Sequence, residues 1–183
     1  VVLHKSNPLA QGNKAALYER MLQPVAEAYM DLGVLARYRP VNDVITLEGR
    51  KISGTGAAEI GDYVVLVGNL IADFDYETMS HVLRVPDEKY RDKVFKSMQE
   101  NLSTLVRELG YEPTWDEMVN PLIQRYGEVL GELEPAEVPS SVYEMARSLE
   151  PGFLSEEWLT RGARSRRGGQ IPERKVKIAS GIH

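Results

Sequence analysis

Four short strand-like segments crowd into residues 34–67, and from about Asp75 onward the apolar residues recur every three or four positions. That order, sheet first and helices after, is what most narrows the fold, because it points to an α+β domain rather than alternating strand–helix units. Val34–Tyr38 reads as a strand stopped by Arg39-Pro40. Val44–Leu47 and Arg50–Ser53 flank the turn Glu48-Gly49 as a hairpin. Tyr63–Val67 is nearly all apolar and so reads as a central strand, and another strand is under way at Val1-Val2-Leu3-His4-Lys5. The spacing of Leu17, Met21, Val25, Ala28, Tyr29 and Leu32 predicts a helix that begins after Gly12-Asn13, ends at Gly33, and is kinked or divided by Pro24. Later helices are expected over Tyr76–Leu83, Lys89–Leu109, Trp115–Leu130 and Ser140–Leu149, with Thr114 and Glu117 forming a capping box.

A chain of 183 residues, 43% hydrophobic and 27% charged, is sized for one domain, or one domain with a small appendage. No apolar run approaches the roughly 18 residues of a membrane span, so no membrane partner is expected and a cytoplasmic setting is the default. A net charge of -5 argues against broad attraction to nucleic acid. The Arg/Gly-rich stretch Arg164-Ser165-Arg166-Arg167-Gly168-Gly169 reads as a linker or exposed loop. With no cysteine, the chain offers neither disulfides nor a thiol nucleophile of its own. An apolar start without an initiator methionine, and a strand-like end at Val176-Lys177-Ile178, suggest a piece of a longer polypeptide.

Several familiar sites fail on spacing. Gly49 to Gly56 has the length of a phosphate-binding loop, but Thr55 and Gly56 stand where Lys and Ser/Thr are required. Gly54-Thr-Gly-Ala-Ala-Glu59 puts glutamate at the third glycine of a dinucleotide fingerprint. Ser53 lacks the glycine frame of a nucleophile elbow. His4, His81 and His183 have no spaced partner for zinc.

Lys51 is left. Spacing alone reads it as a solvated lysine on the exposed face of a hairpin, and three features point the other way. Alternation places Lys51 and Ser53 on one face and Arg50 and Ile52 on the other. Gly54, Thr55, Gly56 and Ala57 present backbone N–H groups with little bulk to an approaching anion. Asn42 and Asp43, on the paired strand, offer an amide and a carboxylate able to hold Mg2+.

Asn42-Asp43-Val44 followed by Gly49-Arg50-Lys51-Ile52-Ser53-Gly54 resembles the signature of lipoate-protein ligases in the biotin/lipoate ligase superfamily. The likeness runs from Val1 past Asp75 and, more faintly, through Phe153-Leu154-Ser155-Glu156-Glu157-Trp158. It implies a mixed β-sheet flanked by helices, with residues 1–160 as a ligase-type catalytic domain and 161–183 as linker and start of an accessory segment. It also implies ATP, Mg2+ and lipoate as ligands. Lys51 would touch both the lipoyl carbonyl and the nucleotide phosphate. Asn42, Asp43, Ser53, Gly54, Gly56, Ala57 and Gly68 would line the ATP or lipoyl-AMP site, with Asp43 at the metal. The expected activity is ATP-dependent formation of lipoyl-AMP and transfer of the lipoyl group to a lysine of a lipoyl-acceptor domain protein.

This sequence departs from the family at three places. Gly56 precedes Ala57 where the family continues Ser-Gly-(Asn/Ser/Thr)-Ala. Val67-Gly68-Asn69-Leu70-Ile71 replaces a His-Gly-Thr-Leu-Leu segment, removing a histidine. The family's Arg-Arg-x-Ser-Gly-Gly-Gly loop would precede Val1, so an N-terminal stretch or accessory polypeptide is expected to complete the site. Alternatives are a non-catalytic binding module on the same fold, a biotin ligase, or an octanoyltransferase relative, the last disfavoured where a cysteine thioester is needed.

Overall fold

The structure, a computed structural model, describes residues 1–83 and 90–160. These divide into two compact units, Val1–Leu133 and one beginning at Glu134, so the expected 1–160 domain spans both. The expected linker at 161–183 lies outside the described residues.

In the first unit the strands β1 (Val2–His4), β2 (Ala36–Arg39), β3 (Asp43–Thr46), β4 (Lys51–Ile60) and β5 (Tyr63–Gly68) form one sheet in the order β1-β5-β4-β3-β2. Every strand pair is antiparallel, where a mixed sheet was expected. Short links explain this: β3 to β4 and β4 to β5 close through tight turns at Gly49 and Gly61, both at positive φ, and a parallel neighbour would need a long crossover. The one parallel contact among the described residues is an isolated bridge between Lys51 and Leu102. β5 lies inside the sheet, as its apolar run indicated.

Helix α1 (Lys14–Asp31) covers one face of the sheet, its N-terminus capped by the Asn13 side chain accepting from the Ala16 N–H. Leu22, Val25, Ala26 and Tyr29 of α1 pack on Val34, Ala36, Val44, Ile52 and Leu105, while Leu17 and Met21 meet Leu3, Val64 and Leu66. Each such side chain contributes about 1.5–3 kcal/mol when fully buried. Pro24 does not divide the helix; its ring is fully buried, and that packing offsets the backbone bond proline forgoes.

After β5 come α2 (Tyr76–Val82), α3 (Arg91–Asn101), α4 (Leu105–Leu109) and α5 (Trp115–Leu130). The capping box at Thr114 and Glu117 is present on both sides. α5 lies beside α1, held by Tyr126 Oη donating to the Met21 carbonyl at 3.1 Å and by Arg125 gripping both oxygens of Asp31 at 2.7 Å. The expected single helix from Lys89 to Leu109 is interrupted, and Lys89 itself lies outside the described residues. Thr104 caps α4 through its hydroxyl, and the Ser103 N–H leaves the helical pattern to bond the Lys51 carbonyl at 2.8 Å.

The second unit contains α6 (Ser140–Phe153) and α7 (Glu156–Leu159), with Ser155 capping α7 and the Phe153 and Trp158 rings edge to face at 4.8 Å. No described helix is long and apolar enough to cross a membrane.

Candidate functional site

Between β3 and β4 the register slips: Ile45 faces Lys51 and Val44 faces Ser53, so Ile52 is an extra residue, a β-bulge. The slip overturns the alternation expected from sequence. Ile52 and Ser53 both turn toward α1, Ile52 into the core and Ser53 into a cavity with Met21, Leu22 and Val25. Lys51 lies instead with Asp43 and Gly54 on the opposite face, which is buried at Ile45 but open toward Gly56 and Val67.

The bulge leaves two carbonyls aimed out of the ladder, and each has a dedicated donor. Tyr29 Oη donates to the Ile52 carbonyl at 2.7 Å and accepts from the Ile71 N–H at 3.3 Å. The Ser103 N–H takes the Lys51 carbonyl. Burial pushes the Tyr29 phenol above its ordinary range, so it stays a neutral donor.

On the open face, three strands bring three charges together. Lys51 Nζ stands 2.6 Å from Asp43 Oδ1, and an Arg39 guanidinium nitrogen 2.8 Å from Asp43 Oδ2. Arg39 pairs directly with Asp43 across β2 and β3, and Asp43 with Gly54 across β3 and β4. Burial pushes the Asp43 carboxyl up, but the hydrogen bonds from Arg39 and Lys51 outweigh it and hold the group below its ordinary 3.8. A depressed carboxylate contributes stability above its unfolded pKa and loses it as the pH falls through the folded one, so this cluster survives anywhere above about pH 4.

Gly54 is required by space rather than by backbone conformation. A Cβ there would lie 2.9 Å from Lys51 Cε and 3.0 Å from Nζ, so its absence lets the lysine arm cross the strand. The expected cradle of backbone N–H groups is not formed, because residues 54–57 are strand and not loop. The Gly54 N–H donates to Asn69 Oδ1 at 3.0 Å, and the Thr55 N–H to the Asn42 carbonyl at 3.0 Å. Asn42 in turn gives its side-chain N–H to the Thr55 carbonyl, tying β3 to β4.

The other expected site residues separate by face. Gly56 shares the open face with Gly54, and its neighbour across the ladder is the exposed Val67. Ser53 donates to the Asn69 carbonyl at 2.6 Å and, with Thr55, Gly68 and Asn69, makes the polar end of an otherwise apolar cavity of about 360 Å3 between the sheet, α1 and α5. Ala57 lines a separate hollow with Leu17, Tyr18 and Val64. Arg39, Asn69, Tyr29 and Ser103 were missed from sequence. Arg39 was recoverable, since a hairpin over residues 39–43 sets it opposite Asp43.

As for a metal, among the described residues no three His, Cys, Asp or Glu side chains converge. Asp43 is a single carboxylate with both oxygens already ion-paired. That does not fit an all-protein metal cage; it fits Mg2+ only in the mode where one carboxylate and substrate phosphates share the ion.

The family model described as the lipoyl protein ligase A/B catalytic domain matches residues 2–127, more than two thirds of the chain. The chain belongs to that family. Among curated members it is 30% identical over 116 residues to octanoyltransferase LipM of Kyrpidia tusciae, covering 62% of this chain and 42% of that one. It is 27% identical over 154 residues to lipoate-protein ligase A subunit 1 of Thermoplasma acidophilum, covering 78% and 58%. The chain thus spans about half the length of the curated relatives it matches. In three dimensions this family member is similar to the bi-partite lipoate protein ligase of Thermoplasma acidophilum, with a TM-score of 0.71, 28% identity and coverage of 81% and 58%. A lipoate-protein ligase A solved with ATP shares the fold at a TM-score of 0.66 and 21% identity, with coverage of 86% and 62%.

Proposed function

We propose that residues 1–160 act as the catalytic domain of an ATP-dependent lipoate-protein ligase. The observation that carries this reading is the Lys51 ammonium, ion-paired but 34% exposed, held over Gly54 on the open face of the sheet. The lipoate carboxylate attacks the α-phosphate of ATP, forming lipoyl-AMP and releasing pyrophosphate. An acceptor lysine amine then attacks the mixed anhydride carbonyl and AMP leaves. Both steps gather negative charge on phosphoryl or carbonyl oxygens, and a fixed ammonium at that point lowers both barriers.

In this reading Lys51 is the catalytic residue. Asp43 holds it in reserve with Arg39 on the carboxylate's other oxygen, Asn42 and Asn69 fix the strand beneath it, and Gly54 and Gly56 keep the face flat for the adenylate. Ser53, Ala57 and Gly68, turned to the helix side, support the ligand site from behind. Mg2+ arriving with the nucleotide would be met by Asp43 and would offset triphosphate charge. The partners are a lipoyl-acceptor domain and an accessory or N-terminal polypeptide completing the site, a reading supported by the likeness to one subunit of a bi-partite ligase. The setting is cytoplasmic.

The test is lipoate-dependent exchange of pyrophosphate into ATP by the intact protein. Exchange that requires lipoate is expected; ATP-independent octanoyl transfer without exchange would favour the second reading, an octanoyltransferase, which the LipM likeness supports. Gly54→Ala is a sharper probe. Its methyl would displace the lysine arm, which is flexible, so the fold is retained with a stability change within about 0.5 kcal/mol. Exchange should nevertheless fall on the order of a hundredfold, the cost of misplacing a catalytic group by about 1 Å. Unaltered exchange in this variant would show that Lys51 does not need its present path.

A further inference from the structure

Asp43 sits between two cations, and the two are not equivalent. Lys51 reaches it from β4 with a long arm whose path is cleared by Gly54, and can swing away. Arg39 reaches it from the directly opposed position on β2 and takes the other carboxylate oxygen. When Lys51 leaves for an anion, Asp43 keeps a partner only if Arg39 is present. A half-buried carboxylate stripped of both cations is costly, and that cost opposes departure of the lysine.

We propose that Arg39 is a positioning residue that releases Lys51: by retaining Asp43 it lets the lysine exchange its carboxylate for a phosphate or acyl-adenylate oxygen. The inference rests on the Lys51 site proposed above and adds a specific residue to it. Without Arg39, Asp43 becomes a competitor with a single claim on Lys51. The site is then slower to fill with anion although every anion-contacting group remains. In this proposal Arg39 acts through Asp43 and not on the anion, and its side chain is 43% exposed, so its replacement leaves no cavity.

The experiment uses the intact protein with its lysines reductively methylated with 13C, the Lys51 resonance being assigned by its loss in Lys51→Arg. ATP, and separately inorganic pyrophosphate, are titrated without metal. In the wild type the Lys51 resonance should shift as the ammonium moves from carboxylate to phosphate. In Arg39→Gln the midpoint should rise about three- to fivefold, the size of one partly exposed ion pair, and Arg39→Lys should restore most of it. In exchange kinetics the same variant should raise KM for ATP while kcat stays near wild type. Equal midpoints in wild type and Arg39→Gln would overturn the role of Arg39 while leaving the Lys51 site standing. A wild-type Lys51 resonance that answers neither anion would overturn the site reading, and this proposal with it. A purely structural Arg39 would show as a lowered melting temperature with an unmoved midpoint, which also overturns it.

Discussion

Lys51→Ala should lower lipoate-dependent pyrophosphate exchange by at least about a hundredfold, equivalent to about 2.7–4 kcal/mol of transition-state stabilisation. The magnitude follows from the setting of the ammonium. It is the charge of the open-face cluster that has both a mobile arm and a cleared path, and its partner Asp43 is already neutralised from the other side by Arg39. Truncation leaves Asp43 its Arg39 partner on Oδ2, and the space vacated by the 34% exposed lysine arm admits water to Oδ1. Stability should therefore change by no more than about 1 kcal/mol, as expected for a partly exposed pair. The measurement pairs initial exchange rates with a thermal melt. Near-normal exchange would remove Lys51 from the chemistry, and a collapsed melt would mean that the lysine serves the fold instead.

Tyr29→Phe should have the largest effect on stability for the smallest change in shape. The lost hydroxyl is the donor to the Ile52 carbonyl and the acceptor for the Ile71 N–H, and the side chain is fully buried. The buried Ile52 carbonyl left unpaired costs about 1–3 kcal/mol and the part-buried Ile71 N–H about 1 kcal/mol, so the pair should cost about 2–4 kcal/mol. For a unit of this size that corresponds to a fall of roughly 5–15 °C in melting temperature. Urea unfolding would show a lower midpoint at unchanged slope. A melting temperature within about 1 °C of wild type would mean that water or a shifted backbone satisfies the bulge, and the account of how Lys51 is held would have to be redrawn.

The sequence showed the strands well because their signals are local: alternation, apolar runs and glycine turns. It placed α5 to the residue, since Thr114 and Glu117 cap it by short-range bonds. It failed where a distant partner decided the outcome. Ser103 and Thr104 interrupt a good helical pattern because the Lys51 carbonyl, far away in sequence, claims a donor there. The bulge at Ile52 is likewise invisible to a period-two reading, which put Lys51 beside Ser53 when it belongs with Gly54. The glycines of 54–56 suggested an anion-binding loop by composition, whereas these residues are strand, and the Gly54 N–H goes to the Asn69 side chain. The motif residues were therefore legible, but their directions depended on one extra residue in one strand.

That extra residue also decides what can be transplanted. A hairpin carrying Asn-Asp and Gly-Arg-Lys-Ile-Ser-Gly, copied into another sheet, would bring the lysine and leave behind its two outside donors, a tyrosine on the covering helix and an amide from a segment about fifty residues later. The graft would either straighten into a regular ladder or hold its kink at the cost of bare carbonyls. The recognisable hairpin is thus a readable label for the site rather than a portable part, and a search or redesign keyed to it should ask for the tyrosine and the interrupted helix as well.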